Sequence, residues 1–223
     1  MAYRRTEKMQ RRLAATRERI VAATARLIAQ HGYAAAGMPA IAGEAGISTG
    51  LIYRHFPSKA ELFDEVFRRV SQREIDACAA AAATAGTARE RLARVVETFS
   101  RRALKGRRLA WALLAEPVGP LIEADRMRFR EPYRAMMAGI IRDGTAAGEI
   151  EPQDADVVAA GLVGAISESL VGPLGEAHAP AREDPLVESV VKLCVRALGP
   201  PPQMEQRRPG SGAPGREDGG DEP

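Results

Sequence analysis

The chain has 223 residues, of which 45% are hydrophobic and only 4% are aromatic, and it carries a formal net charge of +3. This length corresponds to one or two domains, and a composition rich in helix formers with no alternating strand pattern predicts an all-α fold. The charged N-terminus lacks the apolar core of a secretory signal, and no apolar run reaches the roughly 18 residues of a membrane span. We therefore expect a cytoplasmic protein with no membrane partner.

Catalytic and metal chemistry is not indicated by any motif. The two cysteines, Cys78 and Cys194, are isolated, lack metal-ligand spacing and fall in apolar helical patterns, which is typical of small core residues. The sequence contains no paired nucleophile and base, no cluster of metal ligands and no glycine-rich phosphate loop. We therefore expect neither enzymatic activity nor a cofactor.

Residues 1–15 form a basic segment that we interpret as a flexible arm. Eight Lys and Arg residues lie between Met1 and His31 against two Glu residues. Such an excess of positive charge is typical of a surface that neutralises nucleic-acid phosphates, although a solvated basic tail has the same composition. Thr16 is the expected N-cap of a first helix that ends near Gly32.

Residues 41–56 have the pattern of two short helices joined by a tight turn. Gly46 can adopt the left-handed conformation that ends the first of them, and Ser48 can cap the second. Ile52 and Phe56 lie four residues apart, so their side chains should face inward together. The pattern predicts a helix-turn-helix.

A longer helix should follow directly. Pro57 ends the preceding helix, because the residue before a proline avoids helical angles. Ser58 and Glu61 then have the spacing of a capping box. We expect this helix to extend to about Ala83 and to join the helix-turn-helix to the rest of the chain.

The second short helix would expose side chains suited to phosphates and base edges. A helix-turn-helix places this helix in the major groove, its N-terminal N–H groups favour an anion, and a glycine allows a nucleic-acid backbone to approach closely. Taken singly, each side chain could equally be solvated or part of the core, but their combined spacing favours DNA contact. The candidate DNA-binding residues are Ser48, Thr49, Gly50, Leu51, Tyr53, Arg54, His55 and Lys59.

The chain here resembles the DNA-binding motif of the TetR (tetracycline repressor) family of bacterial regulators. The resemblance is carried by I-A-G-E-A-G-I-S-T-G-L-I-Y-R-H-F, by the following S-K-A-E-L-F and by the upstream A-Q-H-G-Y, within residues 16–63. Two departures from the family pattern stand out. Ala36 and Gly37 replace the usual Thr or Ser, which removes a hydroxyl cap and a phosphate contact. Leu51 replaces a small or polar residue, which suggests an apolar contact with a thymine methyl group.

Amphipathic helical patterns continue through residues 64–199, and the resemblance implies an α-helical ligand-binding and dimerisation domain there. The composition of residues 200–223, rich in Pro, Gly and charge, predicts a disordered tail. The plan is about nine helices, three of them in the helix-turn-helix domain at residues 16–63. The later helices are expected at about residues 58–83, 87–105, 109–115, 125–147, 155–170 and 187–198.

The resemblance also implies the partners. The last two helices would form a four-helix bundle with a second subunit, although their apolar faces could also be ordinary core. A two-fold homodimer would match a palindromic operator in double-stranded DNA, with recognition helices about 34–36 Å apart or at multiples of this distance.

The resemblance further implies a cavity among the middle helices that binds an unidentified small-molecule effector. Methionine and aromatic residues suit an adaptable apolar pocket, although the same helical spacing is commoner in plain core. Charged residues nearby, such as Glu116 and the run Arg126, Arg128 and Arg130, could add polar contacts or form a solvated face. The candidate ligand-binding residues are Trp111, Leu114, Phe129, Tyr133, Met136 and Met137.

Three hypotheses are compatible with these patterns. The first is a dimeric repressor that a ligand releases from DNA. The second is a transcriptional activator, or a regulator that needs no ligand. The third is a helical small-molecule-binding protein or enzyme with a vestigial DNA module. Salt-dependent DNA binding would separate the first two from the third, and release from DNA by a metabolite would separate the first from the second.

Overall fold

The computed structural model describes residues 7–116, 120–175 and 182–200, and all regular elements in these ranges are α-helices. The predicted all-α class is thus confirmed. The described part of the chain contains ten helices, whereas about nine were expected. They are α1 Glu7–His31, α2 Met38–Ala45, α3 Thr49–His55, α4 Lys59–Ala82, α5 Ala88–Lys105, α6 Arg107–Leu114, α7 Pro120–Arg128, α8 Glu131–Ala146, α9 Ala155–Gly175 and α10 Glu183–Arg196.

The first helix begins earlier than predicted. The segment from Glu7 to Ala15 is helical, because it consists of good helix formers without glycine or proline. Thr16 therefore lies inside α1, where its hydroxyl donates a hydrogen bond to the carbonyl of Arg12 at 3.0 Å instead of capping the helix. The prediction of a flexible arm is wrong for residues 7–15, and residues 1–6 lie outside the described part.

The single helix predicted at residues 125–147 is two helices. Helix α7 ends at Arg128, and α8 begins at Glu131 with Pro132 in its first turn. Proline cannot donate the N–H that a continuous helix would need, but it suits the first turn of a new one. Helix α7 also begins at Pro120, about five residues before the start expected for the single helix.

The buried side chains form two clusters that share helix α4. Its N-terminal part, including Phe63, Phe67 and Val70, packs with α1–α3, whereas Cys78 and Ala82 pack with α5 and α8–α10. Ala112 of α6 belongs to the first of these clusters. The domain boundary predicted at residue 63 therefore lies inside a continuous helix and inside a continuous core.

The two cysteines are fully buried, one on α4 and one on α10. Burial raises the pKa of the Cys78 thiol to about 12 and that of the Cys194 thiol to about 11. Both thiols therefore stay protonated, and both side chains act as small apolar core residues, as their sequence context predicts.

Helix α9 is the most apolar element of the described chain. By length and composition it could cross a membrane, with a mean hydropathy of 1.7 over its best window. We expected no apolar run of about 18 residues. Ser167 and Glu168 interrupt the run, yet the helix as a whole is long and apolar enough by composition. Leu162, Ile166 and Leu170 of α9 nevertheless lie in the core.

Candidate nucleic-acid interface and cavity

The turn between α2 and α3 has the predicted geometry. Gly46 ends α2 with a φ of 62°, in the left-handed region. The side chain of Arg19 donates a hydrogen bond to the carbonyl of Ala45 at 2.7 Å, which satisfies one of the last acceptors of α2. Ser48 caps α3 by accepting a hydrogen bond from the backbone N–H of Leu51 at 3.2 Å.

Helix α3 is anchored from one side and presents the other side to solvent. Ile52 and Phe56 are buried, as predicted from their spacing. The side chain of Tyr53 is 49% exposed, and a Cβ atom added at Gly50 would meet no atom within 4 Å. The predicted DNA-binding residues lie at the N-cap of α3, along α3 and at the start of α4. Ser48, Gly50, Tyr53 and Arg54 are exposed there, and Thr49, Leu51, His55 and Lys59 are half-buried.

Lys59 lies at the start of α4, against two aromatic rings. Its ammonium nitrogen is 5.2 Å from the ring centroid of Tyr33 and 5.0 Å from that of Phe63. These rings pack edge to face, with centroids 4.4 Å apart. Cation–π attraction holds the ammonium group beside the turn that precedes α2.

The C-terminal end of α3 is held by Arg17 of α1. Its guanidinium donates a hydrogen bond to the carbonyl of His55 at 3.2 Å and lies 4.1 Å from the ring centroid of Phe56. It also forms an ion pair with Glu65 at 3.5 Å. Sequence reasoning assigned Arg17 only to the general basic excess, since nothing local indicates a contact 38 residues away.

Glu65 is the centre of an ion-pair network between α1 and α4. Glu65 is only 8% exposed. Its carboxylate accepts hydrogen bonds from Arg68 at 2.7 Å and from Arg69 at 2.6 Å, in addition to the contact with Arg17. Burial alone would raise the pKa of Glu65, but the hydrogen bonds and charges of Arg68 and Arg69 outweigh it and hold the pKa below its usual value. Arg69 also binds Glu18 of α1, so the network fixes these two helices to each other.

The basic excess near the N-terminus is only partly available for a nucleic acid. Arg26 pairs with Glu44 at 2.7 Å, Arg11 pairs with Glu7 at 2.9 Å, and Arg17 and Arg19 have the structural contacts described above. Lys8 and Arg12 are exposed on the N-terminal turns of α1. Fewer basic side chains are therefore available to a nucleic acid than the number of Lys and Arg residues indicates.

His55 should contribute hydrogen bonds rather than charge at neutral pH. Partial burial lowers the pKa of its imidazole, and the nearby charges of Arg17 and Arg54 lower it further. The imidazole is therefore neutral at pH 7. It can still donate or accept one hydrogen bond at a base edge or phosphate.

The N-terminus of α2 lacks a side-chain cap. Gly37 occupies the N-cap position, and no side-chain hydrogen bond is made there. This agrees with the absence of the hydroxyl that the family usually has at this point. Pro39 in the first turn removes one N–H that would otherwise need a partner.

A cavity of about 130 Å³ lies among helices α4–α9. Four of the six predicted ligand-binding residues line it, namely Leu114, Phe129, Tyr133 and Met137. Trp111 and Met136 do not line it but pack against the C-terminal core cluster. Sequence reasoning missed the contribution of α4 and α5, which includes Phe67, Val70, Glu74, Phe99 and Arg102.

The cavity contains charged groups among its apolar walls. Arg102 donates two hydrogen bonds to Glu74, at 2.5 and 2.9 Å. Arg126 is only 9% exposed, and Arg130 lies beside it in the wall. Burial raises the pKa of the Tyr133 hydroxyl, with a further contribution from Cys78 and Glu74, so this hydroxyl remains a neutral hydrogen-bonding group.

The C-terminal end of α6 connects the cavity to the helix-turn-helix. Arg126 donates hydrogen bonds to the carbonyls of Leu113 at 2.9 Å and of Glu116 at 2.7 Å. The carboxylate of Glu116 accepts hydrogen bonds from the backbone N–H of Tyr33 at 3.0 and 3.1 Å and from that of Ala34 at 3.4 Å. A wall residue of the cavity and the turn before α2 are therefore linked through two consecutive sets of hydrogen bonds.

Comparison with known proteins identifies two stretches of the chain. Residues 20–66 match the model described as bacterial regulatory proteins, tetR family, and residues 85–170 match the tetracyclin repressor-like C-terminal domain. An 83-residue stretch is 36% identical to the HTH-type transcriptional activator FasR of Mycolicibacterium smegmatis. That match spans 37% of this chain and 38% of the relative.

Solved structures match most of the chain. The regulator FadR from Bacillus subtilis, in complex with stearoyl-CoA, has a TM-score of 0.70 at 22% identity over 81% of this chain and 98% of that one. A transcriptional regulator from Saccharomonospora viridis, in complex with choline, has a TM-score of 0.70 at 29% identity over 81% and 95%. With its helix-turn-helix, its C-terminal helical domain and both model matches, the chain belongs to the TetR family of bacterial transcriptional regulators.

Proposed function

We propose that this protein is a homodimeric repressor that binds a palindromic operator and leaves it when a small molecule occupies the cavity. In this proposal residues 16–63 read the DNA, and residues 64–199 hold the ligand and the second subunit. The proposal rests mainly on one observation: helix α4 belongs both to the helix-turn-helix core and to the cavity wall. Phe67 and Val70 pack in the core beneath the helix-turn-helix and also line the cavity.

DNA recognition is assigned to the exposed side of α3. The capped N-terminus and Gly50 allow a close approach to the phosphate backbone. Tyr53 and Arg54 extend to solvent and could reach base edges in the major groove. Lys59, which lies beside Tyr33, would contact a phosphate.

Ligand control is assigned to the contact between α6 and the helix-turn-helix. A ligand acts only if it binds the two arrangements with different affinity. An occupied cavity that moves Arg126 would also move the end of α6 and the carboxylate of Glu116. The turn before α2 would follow, and with it the position of α3. The ligands present in two similar structures, stearoyl-CoA and choline, support a ligand-binding role for this domain.

Dimerisation is assigned to α9 and α10. Val157 of α9 is 66% exposed and Leu193 of α10 is 50% exposed, so each of these neighbouring helices presents a large apolar side chain to solvent. Helix α9 is apolar nearly all round, yet only 33% of its most apolar window is buried. A second copy of the chain would cover these faces by a two-fold interface.

An activator is the second candidate, and one observation favours it. The relative that is 36% identical over 83 residues is named as a transcriptional activator. The same DNA surface and dimer would serve either role. We infer a cytoplasmic protein without enzymatic activity in both cases, since both hypotheses require access to DNA and no chemistry beyond binding.

Selection of binding sites from random duplex DNA tests the proposal. The full chain should enrich a palindromic motif, and the affinity for it should fall steeply with salt because phosphate contacts release counterions. A reporter gene under this motif would then separate repression from activation. Failure to enrich any motif would contradict both candidates and favour a helical small-molecule-binding protein.

A further inference from the structure

The charged groups in the cavity wall do not cancel. Among the described lining residues, Arg102, Arg126 and Arg130 contribute three guanidinium groups, and Glu74 contributes a single carboxylate. The rest of the wall is mainly apolar, with residues such as Leu109, Leu113, Val163 and Ile166. The cavity is therefore an apolar space whose described wall contains more guanidinium groups than carboxylates.

Two of the three guanidinium groups already have partners. Arg102 binds Glu74 through two hydrogen bonds. Arg126 binds Glu123 at 2.5 Å and donates to backbone carbonyls at the end of α6. These contacts neutralise Arg102 and fix Arg126 in place.

Arg130 differs from both. Within residues 7–116, 120–175 and 182–200, the structure shows no ion pair or side-chain hydrogen bond for this guanidinium, although the residue is half-buried in the cavity wall. A charge that has lost part of its hydration without gaining a partner is unfavourable. A carboxylate is the natural complement, because it accepts two parallel hydrogen bonds from a guanidinium.

A cationic ligand is the opposite possibility, because four aromatic side chains also line the cavity. They are Phe67, Phe99, Phe129 and Tyr133, and rings of this kind attract quaternary ammonium groups. Such a ligand would also need net negative charge around it. Among the described lining residues the only carboxylate is that of Glu74, which is already paired with Arg102, so a cation would face the unpaired charge of Arg130.

We propose that the cavity binds an amphiphile with an apolar tail and a carboxylate head, and that the head pairs with Arg130. The tail would lie against the aliphatic and aromatic side chains of α4, α6 and α9. The carboxylate amphiphile is the chemical class of the effector in the proposed function. Binding of the amphiphile does not depend on that function, but the effect of binding on DNA affinity rests on it.

Three probes with the same tail and different heads test the charge preference. They are octanoate, octan-1-ol and octyltrimethylammonium, titrated into the full chain without DNA and below their aggregation concentrations. Calorimetry measures the affinities. The fluorescence of Trp111, the single tryptophan of the chain, reports binding independently because Trp111 lies on α6 beside lining residues. Octanoate should bind at least about tenfold more tightly than octan-1-ol, and octyltrimethylammonium should bind most weakly.

The variant Arg130→Gln distinguishes the contribution of the ligand's head to the affinity from that of its tail. It should reduce octanoate affinity to about that of octan-1-ol while leaving octan-1-ol binding unchanged. Arg128→Gln is the matched control, because Arg128 is an exposed neighbour outside the cavity wall, and it should change none of the three affinities. Thermal unfolding of each variant shows whether it folds.

The opposite order of affinities would overturn the inference, and so would an equal loss of octanoate and octan-1-ol binding in Arg130→Gln. Absence of binding by all three probes would also overturn it. These failures are distinct from failure of the proposed function, since operator selection is carried out without any probe. A protein that binds octanoate through Arg130 but enriches no DNA motif would contradict only the regulatory role.

Discussion

Single side chains determine how firmly α3 is held, and Glu65 is the clearest case because it pairs with Arg17. Glu65→Gln should keep the shape of the side chain but remove the charge that three arginines share. We expect the free energy of unfolding at pH 7 to fall by about 1–3 kcal/mol. Urea denaturation of the parent chain and the variant measures this difference.

The pH dependence of stability checks the same contact. Because the folded-state pKa of Glu65 lies below its ordinary value of 4.5, its stabilising contribution is present above about pH 4.5 and is lost as the pH falls through the folded pKa. The difference between parent and variant should therefore shrink as the pH falls below this value. A difference that stays constant down to pH 3 would contradict the assigned charge state.

Lys59 and Arg54 should differ in what they contribute to DNA binding. Lys59→Ala should weaken binding to all sequences similarly and reduce the slope of log affinity against log salt by about 1. Arg54→Ala should instead relax the sequence preference by about 1–3 kcal/mol at one base pair. Titrations of the selected motif and of a scrambled duplex at two salt concentrations measure both effects. An unchanged salt slope would remove Lys59 from the phosphate contacts.

At the scale of helices, the important contact is the one between the end of α6 and the turn before α2. Glu116→Gln should weaken the hydrogen bonds to the N–H groups of Tyr33 and Ala34, because a charged acceptor is replaced by a neutral one. We expect faster hydrogen exchange in this turn and a several-fold change in operator affinity. Hydrogen–deuterium exchange followed by mass spectrometry locates the effect.

Glu123→Gln is the control for this contact. Glu123 also belongs to the surroundings of Arg126, but it makes no hydrogen bond to the turn before α2 in the part of the chain that the structure describes. Exchange in residues 32–37 should therefore stay at the parent rate. Equal acceleration in both variants would show that general loosening near Arg126, and not the Glu116 carboxylate, controls this turn.

The helices and their caps were predictable wherever the signals are local. Gly46, Ser48 and Ser58 act within a few residues along the chain, so their roles could be predicted from sequence and are present in the structure. The break before Pro132 was missed because the apolar pattern continues through it. The contributions of Glu74 and Arg102 to the cavity could not be predicted, since a contact across 28 residues depends on how α4 and α5 pack.

For the whole molecule, the exposed apolar residues of α9 and α10 predict the assembly. Leu193→Asp should weaken dimerisation by at least about tenfold, because it places a charge in a surface that a second copy would bury. Sedimentation velocity over a range of concentrations measures the effect. Met9→Asp is the matched control, since Met9 is a similarly exposed apolar residue on α1, and it should leave the dimer intact. A parent chain that sediments as a monomer would contradict the proposed assembly.

The continuity of α4 also determines how this regulator could be recombined with others. A chimera joined at residue 63 would separate Val66, Phe67 and Val70 from the α1–α3 side chains that they bury. A junction after Val70 keeps this part of α4 with its own core. The recipient must still supply an α6 whose surface matches Ala112, because that residue belongs to the same cluster. The transferable DNA-reading unit therefore comprises α1–α3, the first part of α4 and a compatible face of α6, and an exchange of the helix-turn-helix alone should yield a poorly folded hybrid.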